Sequence, residues 1–195
     1  EDEFENAWEA ERAATLSNGA DPRRPLSLYF HIPFCDSPCF YCACNKIVTR
    51  SREKADSYLA YLFREIELKG GLFDPARPVD QLHWGGGTPN FLDFEQMRSL
   101  MAAIGRHFSL RRDDSGDYGI EVDPRGMDSG TVARLRELGF NRLSVGIQDH
   151  DPAVQEAVNR VQPREATHGV LEAARAYGFH SVAVDLMYGL PRQTV

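Results

Sequence analysis

A chain of 195 residues is long enough for one domain with a buried core, and 42% apolar against 26% charged residues is ordinary globular composition, which excludes collagen, coiled coil and wholesale disorder. Twenty-two Lys and Arg against 29 Asp and Glu give a formal charge of -7, so a general basic surface is missing and nucleic acid is not an expected partner. No apolar run approaches the ~18 residues of a membrane span, and the acidic start lacks the layout of a signal peptide, so no membrane partner is expected and the cytoplasm is the expected compartment.

Residues 1–24 carry six carboxylates in their first eleven positions and read as a polar arm outside the main domain, 25–195. From Pro25 onward, short apolar runs alternate with helical ones. Leu26 to Pro33, Gln81 to Gly86, Tyr118 to Pro124, Arg142 to Gln148 and Ser181 to Leu190 are rich in β-branched and aromatic residues and read as five strands.

Between them, Tyr58, Leu59, Leu62, Phe63 and Ile66 share one helical face that Gly70 and Gly71 end, and Met97, Leu100, Met101, Ile104 and Phe108 share another. Asp93 with Gln96 three residues on is a capping box, Asp151-Pro152 starts a further helix, and Gly139 and Gly178 sit where helix C-caps belong. Leu138 to Val145 echoes Tyr177 to Val184, each a helix end, a Gly-Phe turn and a strand. This alternation predicts an α/β fold with parallel strands, either an open doubly wound sheet or part of a (β/α) barrel, and both place ligands at the C-terminal ends of strands. Five units fall short of eight, and the chain stops after a strand, so the expectation is a partial barrel from a longer protein, incomplete after its fifth strand.

All four cysteines, Cys35, Cys39, Cys42 and Cys44, fall within ten residues, which suits a metal site in a reducing compartment rather than a disulfide scaffold. Spacings of four and three also allow Cys35, Cys39 and Cys42 to lie buried on one helix face, but Pro33 and Pro38 oppose a regular helix there. A loop wrapping three thiolates around one centre suits an iron-sulfur cluster; structural zinc, the alternative, usually takes two separated Cys-x-x-Cys pairs.

Gly85-Gly86-Gly87-Thr88-Pro89 follows a strand and lacks the Lys of a phosphate-binding P-loop, so it is either a tight turn or a place where backbone approaches a ligand closely. Glu121, Gln148 and Asp185 fall near three strand ends, inside apolar runs where polar groups need partners, as core hydrogen-bonders or as ligand contacts. The six histidines, His31, His83, His107, His150, His168 and His180, show no metal-ligand spacing, and only His31, beside the cysteine loop, is a functional candidate.

Cys-x3-Cys-x2-Cys after a first strand resembles the radical S-adenosylmethionine (SAM) superfamily, in which three cysteines hold a four-iron four-sulfur (4Fe-4S) cluster whose open iron chelates SAM. More narrowly, Tyr29 to Cys35, Cys42 to Lys46, His83 to Pro89, Ile120 to Arg125, Gly139 to Ser144 and Asp185 to Pro191 resemble the oxygen-independent coproporphyrinogen III oxidases, with the likeness running in order over 25–195. The related radical-SAM-like heme chaperones are the alternative; they typically have an aromatic residue where this chain has Cys44, which favours the oxidases.

The resemblance implies ligation by Cys35, Cys39 and Cys42 but not Cys44. It also implies two SAM molecules, with Tyr29, Gly86 and Glu121 matching contacts of the first and Tyr41, Gly87, Thr88, Gln148, Arg160 and Asp185 those of the second; phenylalanine is usual at position 41. The implied function is oxidative decarboxylation of two propionates of coproporphyrinogen III to vinyl groups, giving protoporphyrinogen IX in porphyrin and heme biosynthesis. A radical from SAM takes hydrogen from the propionate β-carbon, and the partners are a reduced electron donor and an unidentified final acceptor. For these 195 residues alone the expectation is an incomplete pocket and weak or absent turnover.

Overall fold

A computed structural model describes residues 24–194; the expected acidic arm, Arg24 apart, lies outside the described residues. In chain order the elements are β1 (Leu26–Ile32), β2 (Phe34–Cys35), β3 (Ile47–Val48), α1 (Glu53–Gly70), β4 (Pro78–Gly86), a 3-10 turn (Pro89–Phe91), α2 (Phe94–His107), β5 (Ser109–Leu110), β6 (Asp117–Val122), α3 (Ser129–Glu137), β7 (Arg142–Gln148), α4 (Pro152–Ala157), α5 (Arg164–Ala176) and β8 (Ser181–Leu186).

The five predicted strands are all present and all pair in parallel, in the order β1-β4-β6-β7-β8, with β5 adding a short pairing to β4. Strand order follows chain order without reversal, as in a (β/α) barrel wall, so the doubly wound alternative fails. β4 begins three residues before the expected Gln81, because Val79 is buried and faces both Leu26 and Leu110.

Local chemistry sets the element ends. Asp93 accepts the Gln96 amide at 2.8 Å while the Gln96 side chain accepts the Asp93 amide at 3.0 Å, closing the predicted capping box. Asp128 and Asp151 cap α3 and α4 in the simpler way. The echoed Gly-Phe turns are two copies of one device. Gly139 and Gly178 take positive φ (+99° and +75°), and the next amides, Phe140 and Phe179, reach back to the carbonyls of Leu135 and Ala174. That is a Schellman cap, which only glycine adopts without strain.

Alternate residues of the strands split the sheet into two unlike faces. One face carries Phe30, Ile32, Leu82, Trp84, Ile120, Leu143 and Val145, all buried in the main core that the helices help build. Trp84, fully buried, meets Phe140 edge-on at 4.9 Å. The register puts Tyr29 beside His83, His31 beside Gly85, His83 beside Gly119, Glu121 beside Ser144, and Gly146 beside Asp185 on the opposite face. That second face is polar and unpacked by helices among the described residues.

Candidate functional site

The cysteine segment is not a helix, so the reading of its thiols as one buried helix face fails. It is a loop pinned at both ends, where β2 pairs with β3 and the amides of Ile47 and Thr49 bond the carbonyls of Pro33 and Cys35. Across the molecule, the Phe40 amide bonds the Val158 carbonyl at 3.0 Å, and Asn159 donates to the Pro38 carbonyl at 2.7 Å. The loop is thereby held over the C-terminal ends of the strands.

Within it, Cys35 is buried with its Sγ 3.4 Å from Thr88 Oγ1, Cys39 Sγ lies 3.5 Å from Arg160 Nη1, and Cys44 is exposed. Burial pushes the Cys35 thiol up. For Cys42 burial acts in the same direction, but hydrogen bonds from Cys44 and the charge of Lys46 outweigh it and lower the thiol. All four are free thiols. Among the described residues no three His, Cys, Asp or Glu side chains converge as ligands of a single ion. Thiols that a loop brings into one cleft are the donor type that an iron-sulfur cluster takes.

The glycine turn packs against the same loop. A Cβ on Gly87 would stand 2.8 Å from the Phe34 carbonyl oxygen and the Pro33 carbonyl carbon, one on Gly86 (φ +114°) 2.6 Å from the His31 ring, and one on Gly85 2.8 Å from Glu121 Oε1. Each missing side chain therefore has a neighbour within the protein that requires it.

Glu121 is held from two sides: its Oε1 is 3.0 Å from His83 Nε2, and its Oε2 accepts the Gly86 amide at 3.3 Å. The His83 bond, stronger than the opposing burial, holds this carboxyl below its usual range. His83 was missed as a candidate; the signal was Gly119 opposite it, where a Cβ would stand 2.9 Å from His83 Nδ1.

Gln148 takes a left-handed backbone (φ +68°) at the end of β7, a strained placement for a side chain at a cleft. Arg160, 8% exposed, donates to the Gly146 carbonyl at 2.9 Å and pairs with Asp123 at 3.1 Å. Tyr41 packs on Val154, Val158 and Leu190, and its burial raises the hydroxyl against the pull of Arg160. Asp185 lies 3.4 Å from Ser144 Oγ.

Cys35, Cys39, Cys42, Tyr41, Gly86, Gly87, Thr88, Glu121, Gln148, Arg160 and Asp185 all line one cleft of about 790 Å³ at the C-terminal ends of the strands. Tyr29 does not: it stands exposed beside the cleft, stacked on His83 with ring centres 5.9 Å apart and its hydroxyl 3.2 Å from His31 Nδ1. Asp123 and Arg125 line the cleft as well and were not singled out as site residues.

The Radical SAM superfamily model matches residues 29–195. This chain belongs to the radical SAM superfamily. It is 55% identical over 170 residues to the oxygen-independent coproporphyrinogen III oxidase of Pseudomonas aeruginosa, covering 87% of this chain and 37% of that protein. Against the Escherichia coli protein of the same name it is 50% identical over 173 residues, with 89% and 37% covered. The solved Escherichia coli coproporphyrinogen III oxidase (HemN), described as a radical SAM enzyme, superposes with TM-score 0.88 at 47% identity, over 94% of this chain and 42% of that one. The radical SAM methyltransferase TsrM from Kitasatospora setae, at 14% identity and TM-score 0.55 over 88% of this chain and 33% of its own, shares the fold alone. The radical SAM chain described here spans about two fifths of the length of the coproporphyrinogen III oxidases it matches.

Proposed function

We propose that this chain, through its domain 25–195, is part of an oxygen-independent coproporphyrinogen III oxidase that converts two propionates of coproporphyrinogen III to vinyl groups in the cytoplasm. The observation that carries the reading is the single cleft at the C-terminal strand ends, shared by all four thiols, the glycine turn and polar groups from three strands. The oxidase name of the relatives in two bacteria supplies the substrate class; no relative named above is a heme chaperone.

In this reading Cys35, Cys39 and Cys42 hold a 4Fe-4S cluster, and Tyr29, Gly86 and Glu121 contact one SAM, while Tyr41, Gly87, Thr88, Gln148, Arg160 and Asp185 contact a second. When bound, the cluster and SAM supply the one-electron chemistry that takes a hydrogen atom from a propionate. Each propionate would then lose carbon dioxide and pass one electron to a final electron acceptor to become vinyl. The chain's own residues position and exclude. Glu121, ionised at neutral pH, offers acceptors fixed by His83 and Gly86 to a ligand ammonium. Gly86 and Gly87 let the turn pack tightly on His31 and the Pro33-Phe34 backbone beside the cleft, and Tyr41 with its apolar neighbours walls the cleft from water, which matters more for a reactive radical than acid-base groups do.

The test is chromatography of tetrapyrroles after anaerobic incubation of the reduced, iron- and sulfide-reconstituted full-length protein with SAM and coproporphyrinogen III. The expected result is protoporphyrinogen IX, absent with Cys39→Ala. SAM cleavage with an unchanged tetrapyrrole would remove the substrate assignment while leaving the superfamily chemistry in place.

A further inference from the structure

Asp123 receives two guanidinium groups. Arg125 Nε lies 2.9 and 3.0 Å from its two carboxylate oxygens, with Nη2 at 2.6 Å, and Arg160 Nη1 lies at 3.1 Å. One carboxylate thus lies between two guanidinium groups, and Cys39 Sγ stands 3.5 Å from the second. The two arginines differ in what is left to donate. Arg160 gives its two amino groups to Asp123, the Gly146 carbonyl and Cys39 Sγ, and its unpartnered Nε is buried away from the cleft's solvent. Arg125 lines the cleft with its side chain 27% exposed, and its Nη1 amino group has no acceptor among the described residues.

The fork is also rigidly aimed. Asn90 exchanges two 2.9 Å hydrogen bonds with the backbone of Asp123, tying the end of β6 to the 3-10 turn, so Asp123 holds the Arg125 plane from a fixed base. A partly desolvated, pre-oriented guanidinium edge is matched by a planar anion that accepts parallel N–H bonds.

We propose that Arg125, positioned by Asp123, is the cleft's receptor for a ligand carboxylate. This rests on the oxidase reading, whose ligands offer that group in two places: a propionate of the tetrapyrrole and the methionine part of SAM.

The test measures equilibrium binding to the reconstituted full-length protein, by fluorescence for coproporphyrin III, the unreactive oxidised form, and by calorimetry for SAM. In Arg125→Gln, Arg160 still neutralises Asp123, and thermal melting checks the fold; Arg125→Lys keeps the charge and loses the fork. Binding of one carboxylate ligand is expected to weaken about 10- to 100-fold in Arg125→Gln and to recover only in part in Arg125→Lys. If the carboxylate is a propionate, coproporphyrin III shows the loss and its tetramethyl ester binds wild type and variant alike. If it belongs to SAM, SAM shows the loss and decarboxylated SAM does not. Wild-type binding of both ligands with no change in either variant overturns the receptor alone. A wild-type protein that binds neither ligand overturns the oxidase reading and the receptor together.

Discussion

The two faces of the parallel sheet come from alternate residues of the same strands, yet they follow opposite rules. On the helix side, Leu82, Trp84, Ile120 and Val145 are apolar, nearly free of solvent and partnered by packing. On the other side, His83, Glu121, Ser144 and Asp185 keep polar groups in reach of the cleft, paired with one another rather than with the core. Packing is thus concentrated on one face and the polar side chains at the cleft on the other, and substitutions one residue apart in a strand separate the two.

The largest expected effect tests the packed face. Trp84→Ala removes a fully buried ring that meets Phe140 and is expected to cost about 3–5 kcal/mol in urea unfolding. A loss under about 1 kcal/mol would break the contrast. Next come two glycines of opposite sign. Gly87→Ala drives a methyl against the backbone of Pro33 and Phe34, which cannot swing aside, and should cost about 1–3 kcal/mol. Gly169→Ala, inside α5 with nothing within 4 Å of its new methyl, should gain about 0.5–1 kcal/mol. Calorimetric melting of both variants checks the sign as well as the size.

A pH titration sharpens the polar side. Burial raises the Asp123 carboxyl, but Arg125 and Arg160 outweigh it and leave the folded-state value below the ordinary one. A depressed carboxylate contributes stability that is present above its unfolded value of about 4 and is lost as pH falls through the folded one. Wild type should therefore exceed Asp123→Asn at neutral pH and converge on it in acid. A gap that stays constant down to pH 2 would show that the pair does not titrate as described. Smallest of all, Ser144→Ala gives up an exposed 3.4 Å contact to Asp185 and is expected to change unfolding by no more than about 0.5 kcal/mol.

The strands and helix ends were legible because their signals are local: alternating apolar residues, Asp93 with Gln96, and glycine at each C-cap. Barrel order was not legible, since β-α alternation is identical in barrels and doubly wound sheets; strand order separates them, and it depends on contacts between distant segments. Glu121, Gln148 and Asp185 stood out as polar residues within apolar runs. His83 did not, because a histidine between Leu82 and Trp84 matches any solvent-facing strand position until Gly119 is set opposite it in register. Arg160 was reached through family resemblance, while its partner Asp123, 37 residues earlier, carries no local signal of the ion pair they form. The two-residue strands that pin the cysteine loop are too short for any periodicity to mark.

The central claim is that the loop over the polar face holds a cluster next to bound SAM. Its most direct test is formation of 5'-deoxyadenosine from SAM by the anaerobically reconstituted, dithionite-reduced protein, measured by chromatography beside Cys39→Ala. Formation by wild type alone is the predicted result. Intact SAM in the presence of a full iron and sulfide complement would contradict it.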